Sequence, residues 1–235
     1  MVGLDHFATT VFRTQVDRER DVPSRALADG EFIRATLLLI LLRGVAMSFI
    51  QLGQWQVYDP TGRRKYLSAD ERRRFLAAAD TLPPPTRSLC HFLAYSGCRI
   101  SEALAVTRQQ VDAESGTVIL RTLKRRRLVF RAVPVPPSMI LHLLNLPAAE
   151  GGRLWKMHRC TAWRHVKEAM TSAAIGGPMA TCRGLRHGFG IRAAANAVPP
   201  SLIAKWLGHA SLATTAIYLD AVGPEERAIA SRMWD

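Results

Sequence analysis

At 235 residues the chain suits one domain of ordinary size with an appendage, or two small domains. Apolar residues make up 48% of it, which supports a packed core and excludes wholesale disorder. Its 32 Lys and Arg against 19 Asp and Glu leave a net charge of +13, an excess that favours a polyanionic partner, nucleic acid first and an anionic membrane second.

The N-terminus lacks the basic-then-apolar order of a signal peptide. Ala35 to Leu42 is apolar but far shorter than the roughly 20 residues of a membrane span. Arg43 would then sit mid-bilayer, so the segment to Leu52 is expected to be a buried helix, with no membrane partner. Pro60 and Gly62 close this apolar part and the basic run Arg63 to Lys65 follows. The break divides the chain into 1–62, a short helical segment, and 63–235. Ser68 with Glu71 forms a capping box that starts a helix running to about Asp80. The prolines of "LPPP" end it. "TRSLCHFLAYSG" reads as a second helix closed by Gly97 and "ISEALAVT" as a short third, with Cys98 and Arg99 in the bend.

"GTVILRTL" and "LVFRAVPV" have the β-branched and aromatic content of strands, and they flank Lys124 to Arg127 as a hairpin with a cationic tip. "PPSMILHLLNL" and "CTAWRHVKEAMTSAA" are helical again, as is the stretch holding "RGLRHGFGIRAAAN". "SLIAKWL" puts Leu202, Ile203, Trp206 and Leu207 on one face, and Gly208 closes it. A last pair of helices is expected over 211–219 and 225–233, the second with Ile229, Met233 and the alanines at 228 and 230 as an apolar stripe that docks on a neighbouring subunit when DNA is bound, or on its own chain in the free monomer. The predicted fold is mainly α with a small antiparallel β-sheet, an α+β class. Cys90, Cys98, Cys160 and Cys182 have no CxxC spacing and read as buried small hydrophobes in a reducing compartment, with neither zinc nor disulfides.

Arg99, Lys124, Arg186 and His209 stand at bends or element ends. Singly each has a plain reading: a helix cap, a solvated turn residue, a partner of a local acid, a C-terminal cap. Their order changes that. "YSGCRISEAL", a Lys-tipped hairpin ending in "VPV", "GLRHGFG" and "LGHASLATTAIY", with Tyr218 nine positions after His209, together resemble the tyrosine recombinase (phage integrase) family over residues 66–221. Tyr218 thereby becomes a candidate nucleophile rather than a packing residue.

The resemblance implies that 63–235 is the catalytic domain, acting in the cytoplasm on double-stranded DNA as a homo-oligomer, a tetramer on paired sites, without metal or other cofactor. It implies that Arg99 and Arg186 clamp the scissile phosphate, that His209 donates a further hydrogen bond, and that Tyr218 attacks phosphorus to give a 3′-phosphotyrosyl link. Lys124 is then the general acid for the leaving 5′-oxygen and Glu102 the residue orienting Arg99. Fixed cations facing the non-bridging oxygens are worth several kcal/mol in such a transition state, and Arg offers forked donors that stay charged. Two departures stand out. Where the family most often has His, three residues before the second Arg, this chain has Arg183, which is expected to contact phosphate and cannot take the tyrosine's proton. His187 beside Arg186 reads as a packed core histidine. Residues 1–60 are also too few for the family's usual helical clamp, which leaves a clamp of one or two helices or a truncated remnant. Two other readings stay open: a protein that occupies such sites on DNA without recombining them, and a type IB topoisomerase.

Overall fold

Ser68 opens the first helix as the sequence predicts. In the computed structural model its hydroxyl accepts the Glu71 N–H at 3.2 Å and the Glu71 carboxylate accepts the Ser68 N–H at 2.9 Å, so α1 spans Ala69–Asp80. The structure describes residues 57–123, 128–147, 152–219 and 230–234. The chain divides into two compact units, Met1–Gln54 and Trp55–Asp235, and every residue described belongs to the second. The expected buried helix around 35–52 lies outside the described residues.

Helix α2 spans Pro84–Ser96, so the prolines that end α1 also start α2. Pro84 and Pro85 fit its first turn, where backbone N–H groups have no intrahelical acceptor. Gly97 closes it at a φ of 60°, and a Cβ there would meet the Phe189 ring at 2.6 Å. Arg99 then caps the one-turn helix α3, Ile100–Ala103.

Among the described residues the sheet has three antiparallel strands, β1 Val111–Asp112, β2 Thr117–Arg121 and β3 Phe130–Pro134, in the order β1-β2-β3. The hairpin matches the expectation, whereas β1 is too short to show a pattern. Val118 pairs with Val133 and Leu120 with Arg131, and the three apolar members are fully buried. Strand alternation therefore carries Arg131 to an inward-facing position. Lys124 to Arg127 lies outside the described residues, between a final pair of Arg121 with Phe130 and a Thr122 N–H to Val129 carbonyl bond of 2.8 Å.

Helices α4 Pro137–Leu144, α5 Arg159–Ser172, α6 Cys182–Ala195, α7 Pro200–Leu207 and α8 Ala213–Ala216 follow. The larger core cluster includes Phe75, Leu89, Phe92, Leu93, Trp155 and Met170, with the Trp155 indole donating to Ser88 Oγ at 2.9 Å. A smaller cluster gathers Tyr66, Phe189, Ile191, Ile203, Leu207 and Tyr218. It is this second cluster that seats the site.

Several expectations are corrected. Ile203 and Leu207 are fully buried but Leu202 is 38% exposed, because the face of α7 turned to the core is centred on Ile203, Ala204 and Leu207 and Leu202 lies at its margin. Cys90 and Cys98 are buried as expected, whereas Cys160 on α5 is exposed and Cys182 half-buried; all four are free thiols. The helix expected over 211–219 shrinks to α8 followed by a turn. Of the expected C-terminal helix only 230–233 is described, with a 3₁₀ turn at Ser231–Met233 and Met233 exposed. Among the described residues no helix is long and apolar enough to cross a membrane.

Candidate active site

Arg186 stands in the second turn of α6, not at an element end. Its guanidinium donates to the carbonyls of Gly97 at 3.0 Å and Leu207 at 2.7 Å. Both carbonyls belong to helix C-termini, α2 and α7, whose partial negative charge suits a buried cation. Burial first, and Arg99 second, lower its pKa to about 10, so it stays charged at neutral pH.

Arg99 is held from its own helix. Its backbone N–H and its Nη1 donate to Glu102 at 3.0 and 2.9 Å. Glu102 is buried, and it also accepts Arg131 Nη2 at 2.7 Å. Arg131 continues through Nε to the Trp206 carbonyl at 2.8 Å and through Nη1 to Thr122 Oγ1 at 2.8 Å. One buried guanidinium thus ties together the carboxylate that orients Arg99, the C-terminus of α7 just before His209, and the root of the hairpin that carries Lys124. The sequence reading missed Arg131; a lone arginine inside an otherwise apolar strand pattern was the available signal.

His209 follows the Gly208 cap of α7. Its Nδ1 lies 2.8 Å from Thr215 Oγ1, and its ring stacks on Tyr218 with centroids 6.0 Å apart and planes 22° apart. Burial first, then Arg186 and Arg99, push its pKa down to about 3, so the imidazole is neutral. A Thr215 hydroxyl that donates to Nδ1 leaves the proton on Nε2, the tautomer in which a neutral imidazole can donate to a phosphate oxygen.

Tyr218 follows α8 and is 3% exposed. Burial raises its pKa, while Arg186, Arg183 and Arg99 act in the opposite direction. Its hydroxyl lies 3.1 Å from Nδ1 of His187, a buried residue. His187 is therefore in the core as expected, but in contact with the candidate nucleophile. Arg183 is exposed on the first turn of α6, and its charge acts on Tyr218, His187 and Lys65. Lys65, half-buried, is a further cation at the site from the basic run before α1.

Gly190 makes room for the phenol. A Cβ there would come within 2.6 Å of Tyr218 Cε2. Gly190→Ala should keep the fold, since Ala is favoured over Gly in a helix interior by about 1 kcal/mol. It should displace the tyrosine ring and slow DNA cleavage about 100-fold, the scale of a 1 Å misplacement. Single-turnover cleavage checks this, and an unimpaired variant would show that the ring does not need this seat.

The phage integrase family model matches residues 65–222. The tyrosine recombinase XerD of Mycobacterium leprae (strain TN) is 29% identical over 234 aligned positions, covering 85% of this chain and 73% of that protein. The crystal structure of XerA recombinase superposes with a TM-score of 0.60 at 25% identity, covering 72% of this chain and 62% of that one. For XerH recombinase bound to palindromic difH substrate in a post-cleavage complex the TM-score is 0.63 at 21% identity, over 72% of this chain and 53% of that one, a likeness of fold. The chain thus spans about half to three quarters of the length of these relatives. Matched by the family model over most of its length, the chain belongs to the phage integrase family.

Proposed function

We propose that this chain cuts and rejoins double-stranded DNA at specific sites as a tyrosine recombinase, through a 3′-phosphotyrosyl intermediate on Tyr218. The observation that carries this reading is the meeting of Arg99, Arg186, His209 and Tyr218, from four separate elements, around one phenol. A phosphodiester repels an incoming oxygen because it is already anionic, and more charge develops as the fifth oxygen approaches phosphorus. Arg186, fixed by two helix C-termini, and Arg99, fixed by Glu102, are preorganised donors for that charge. His209 adds a neutral donor, and Arg183 adds a cation from the first turn of α6. Lys124 protonates the departing 5′-oxygen. The covalent link retains the bond energy, so a second strand's hydroxyl reverses the step without an external energy source. Exchange between two duplexes cuts four strands, one per active site, which fits a homotetramer on paired sites. The protein then works in the cytoplasm with its DNA.

The test is trapping with nicked duplexes. Cleavage beside the nick releases a short 5′-hydroxyl fragment that diffuses away, leaving protein and DNA covalently joined. A pool of nicked duplexes with randomised arms supplies the unknown site, and recovery of one sequence family as an adduct identifies it. Binding without any adduct would favour the reading as a non-recombining site-binding protein. Adducts accompanied by relaxation of supercoils, without exchange between two sites, would favour the topoisomerase reading.

Affinity for DNA should also fall steeply with salt. If the +13 excess neutralises about six phosphates, binding should weaken on the order of 10³-fold between about 50 and 200 mM salt, through release of condensed counterions. A flat plot of log affinity against log salt would count against a DNA partner.

A further inference from the structure

The resemblance leaves the tyrosine's proton without a taker, because Arg183 occupies the place where the family most often has His. The structure supplies another histidine. His187 Nδ1 is 3.1 Å from the Tyr218 hydroxyl, with ring centroids 5.8 Å apart. It stands between Arg186, which faces the phosphate in the proposed reaction, and Gly190, which seats the phenol ring. One turn of α6 therefore holds the cation, the imidazole and the seat of the tyrosine. We propose that His187 is the proton acceptor for Tyr218. This rests on the recombinase reading above.

The step balances. The proton passes from Tyr218 Oη to His187 Nδ1 as the Oη–P bond forms and the P–O5′ bond breaks. The departing 5′-oxygen takes its proton from a separate acid, Lys124. On rejoining, the incoming 5′-hydroxyl gives its proton to that group, and imidazolium returns the other proton to the phenol.

Charged and titratable groups face His187 from several elements: Lys65 ahead of α1, Arg183 and Arg186 on α6, His209 after α7 and Tyr218 after α8. Burial first, then Arg183, Arg186 and Lys65, lower the pKa of His187 to about 3. The imidazole is therefore uncharged throughout the neutral range, and in the tautomer with its proton on Nε2 it presents Nδ1 to the Tyr218 hydroxyl as an acceptor, a weak base while the site is empty. A bound phosphodiester brings negative charge among these cations, and an opposite charge nearby raises the proton affinity of an imidazole. Proton removal thus becomes favourable when DNA is in place, and the empty enzyme keeps its nucleophile protonated.

The test uses the duplex recovered by covalent capture on the wild-type protein, made with either an ordinary 5′-oxygen or a 5′-bridging sulfur leaving group. His187→Asn keeps an amide oxygen near the place of Nδ1 but cannot take a proton; His187→Gln is a second variant in case the first fails to fold. Single-turnover adduct formation should slow by about 10² to 10⁴ at neutral pH while DNA binding is unchanged. The variant's rate should climb about tenfold per pH unit into the alkaline range, where the wild type is flat. Sulfur needs no acid to leave, so that substrate should rescue Lys124→Ala but not His187→Asn. Equal rates for wild type and variant at every pH, rescue by sulfur, or a loss matched by lost DNA binding would each overturn the role of His187 alone. A wild type that captures no duplex would overturn the recombinase reading and this proposal with it.

Discussion

Tyr218→Phe should give no covalent protein–DNA adduct above background while binding DNA within about twofold of the wild type. The substitution removes the atom that would bond phosphorus and no group that holds phosphate. Phe fills the same seat, since the ring lies against Gly190 in the smaller core cluster and is 3% exposed. The hydroxyl's hydrogen bond to buried His187 is lost, and an orphaned buried acceptor costs about 1 to 3 kcal/mol. A few degrees in melting temperature is therefore the expected structural cost. The assay is denaturing electrophoresis of protein trapped on the nicked duplex, with binding measured on the same DNA. The chain has three other tyrosines, Tyr58, Tyr66 and Tyr95. An adduct that survives Tyr218→Phe would place the nucleophile elsewhere, and the DNA-linked peptide would identify it.

What could be read in advance divides along the range of the interactions. The capping box of Ser68 and Glu71 and the closing role of Gly97 depend on neighbours within four residues, so the sequence displays them. Arg99, Arg186, His209 and Tyr218 were legible because the resemblance fixes their order and spacing. Arg131 was not, because its role arises only when the hairpin packs with β2 against α3 and β3 against α7, bringing Glu102 and the Trp206 carbonyl to one guanidinium across 29 and 75 residues of chain. His187 was legible as a core residue but not as the neighbour of the phenol. That contact depends on the turn after α8 folding back on α6, 31 residues away. Leu202 was misplaced for the opposite reason: apolar spacing marked it as inward, but a helix buries a narrow stripe and Ile203 with Leu207 already filled it. Pro84 and Pro85 read as terminators because proline breaks helix interiors, although the same chemistry suits a first turn.

Glu102→Gln should both destabilise the protein and impair cleavage. The Glu102 side chain is fully buried and accepts from the Arg99 backbone, from Arg99 Nη1 and from Arg131 Nη2. Burial alone would raise its pKa; Arg131, then Arg99, more than offset this and hold it below the ordinary carboxylate value. Gln removes that charge and leaves the Arg131 guanidinium, whose side chain is 4% exposed, without its anion. Breaking a buried pair from one side costs about 3 to 5 kcal/mol, a large part of a typical total of about 5 to 15. At about 2 to 4 °C per kcal/mol for a domain of this size, the melting temperature should fall by roughly 6 to 20 °C. The sign of the pH dependence follows from the depressed pKa. The stabilisation from the carboxylate is complete above its unfolded value of about 4.3 and is lost as pH falls through the lower folded value. The gap between wild type and variant should therefore be constant from neutrality to about pH 5 and close below about pH 4. In molecules that remain folded, Arg99 loses the carboxylate that aims it, and cleavage should drop about 100-fold, as for other small misplacements of a catalytic group. Thermal melts across pH and single-turnover cleavage below the variant's melting point measure the two effects separately. A variant with unchanged stability and rate would mean that Arg131 is held by the Trp206 carbonyl and the Thr122 hydroxyl alone, and that Arg99 does not depend on Glu102 for its aim.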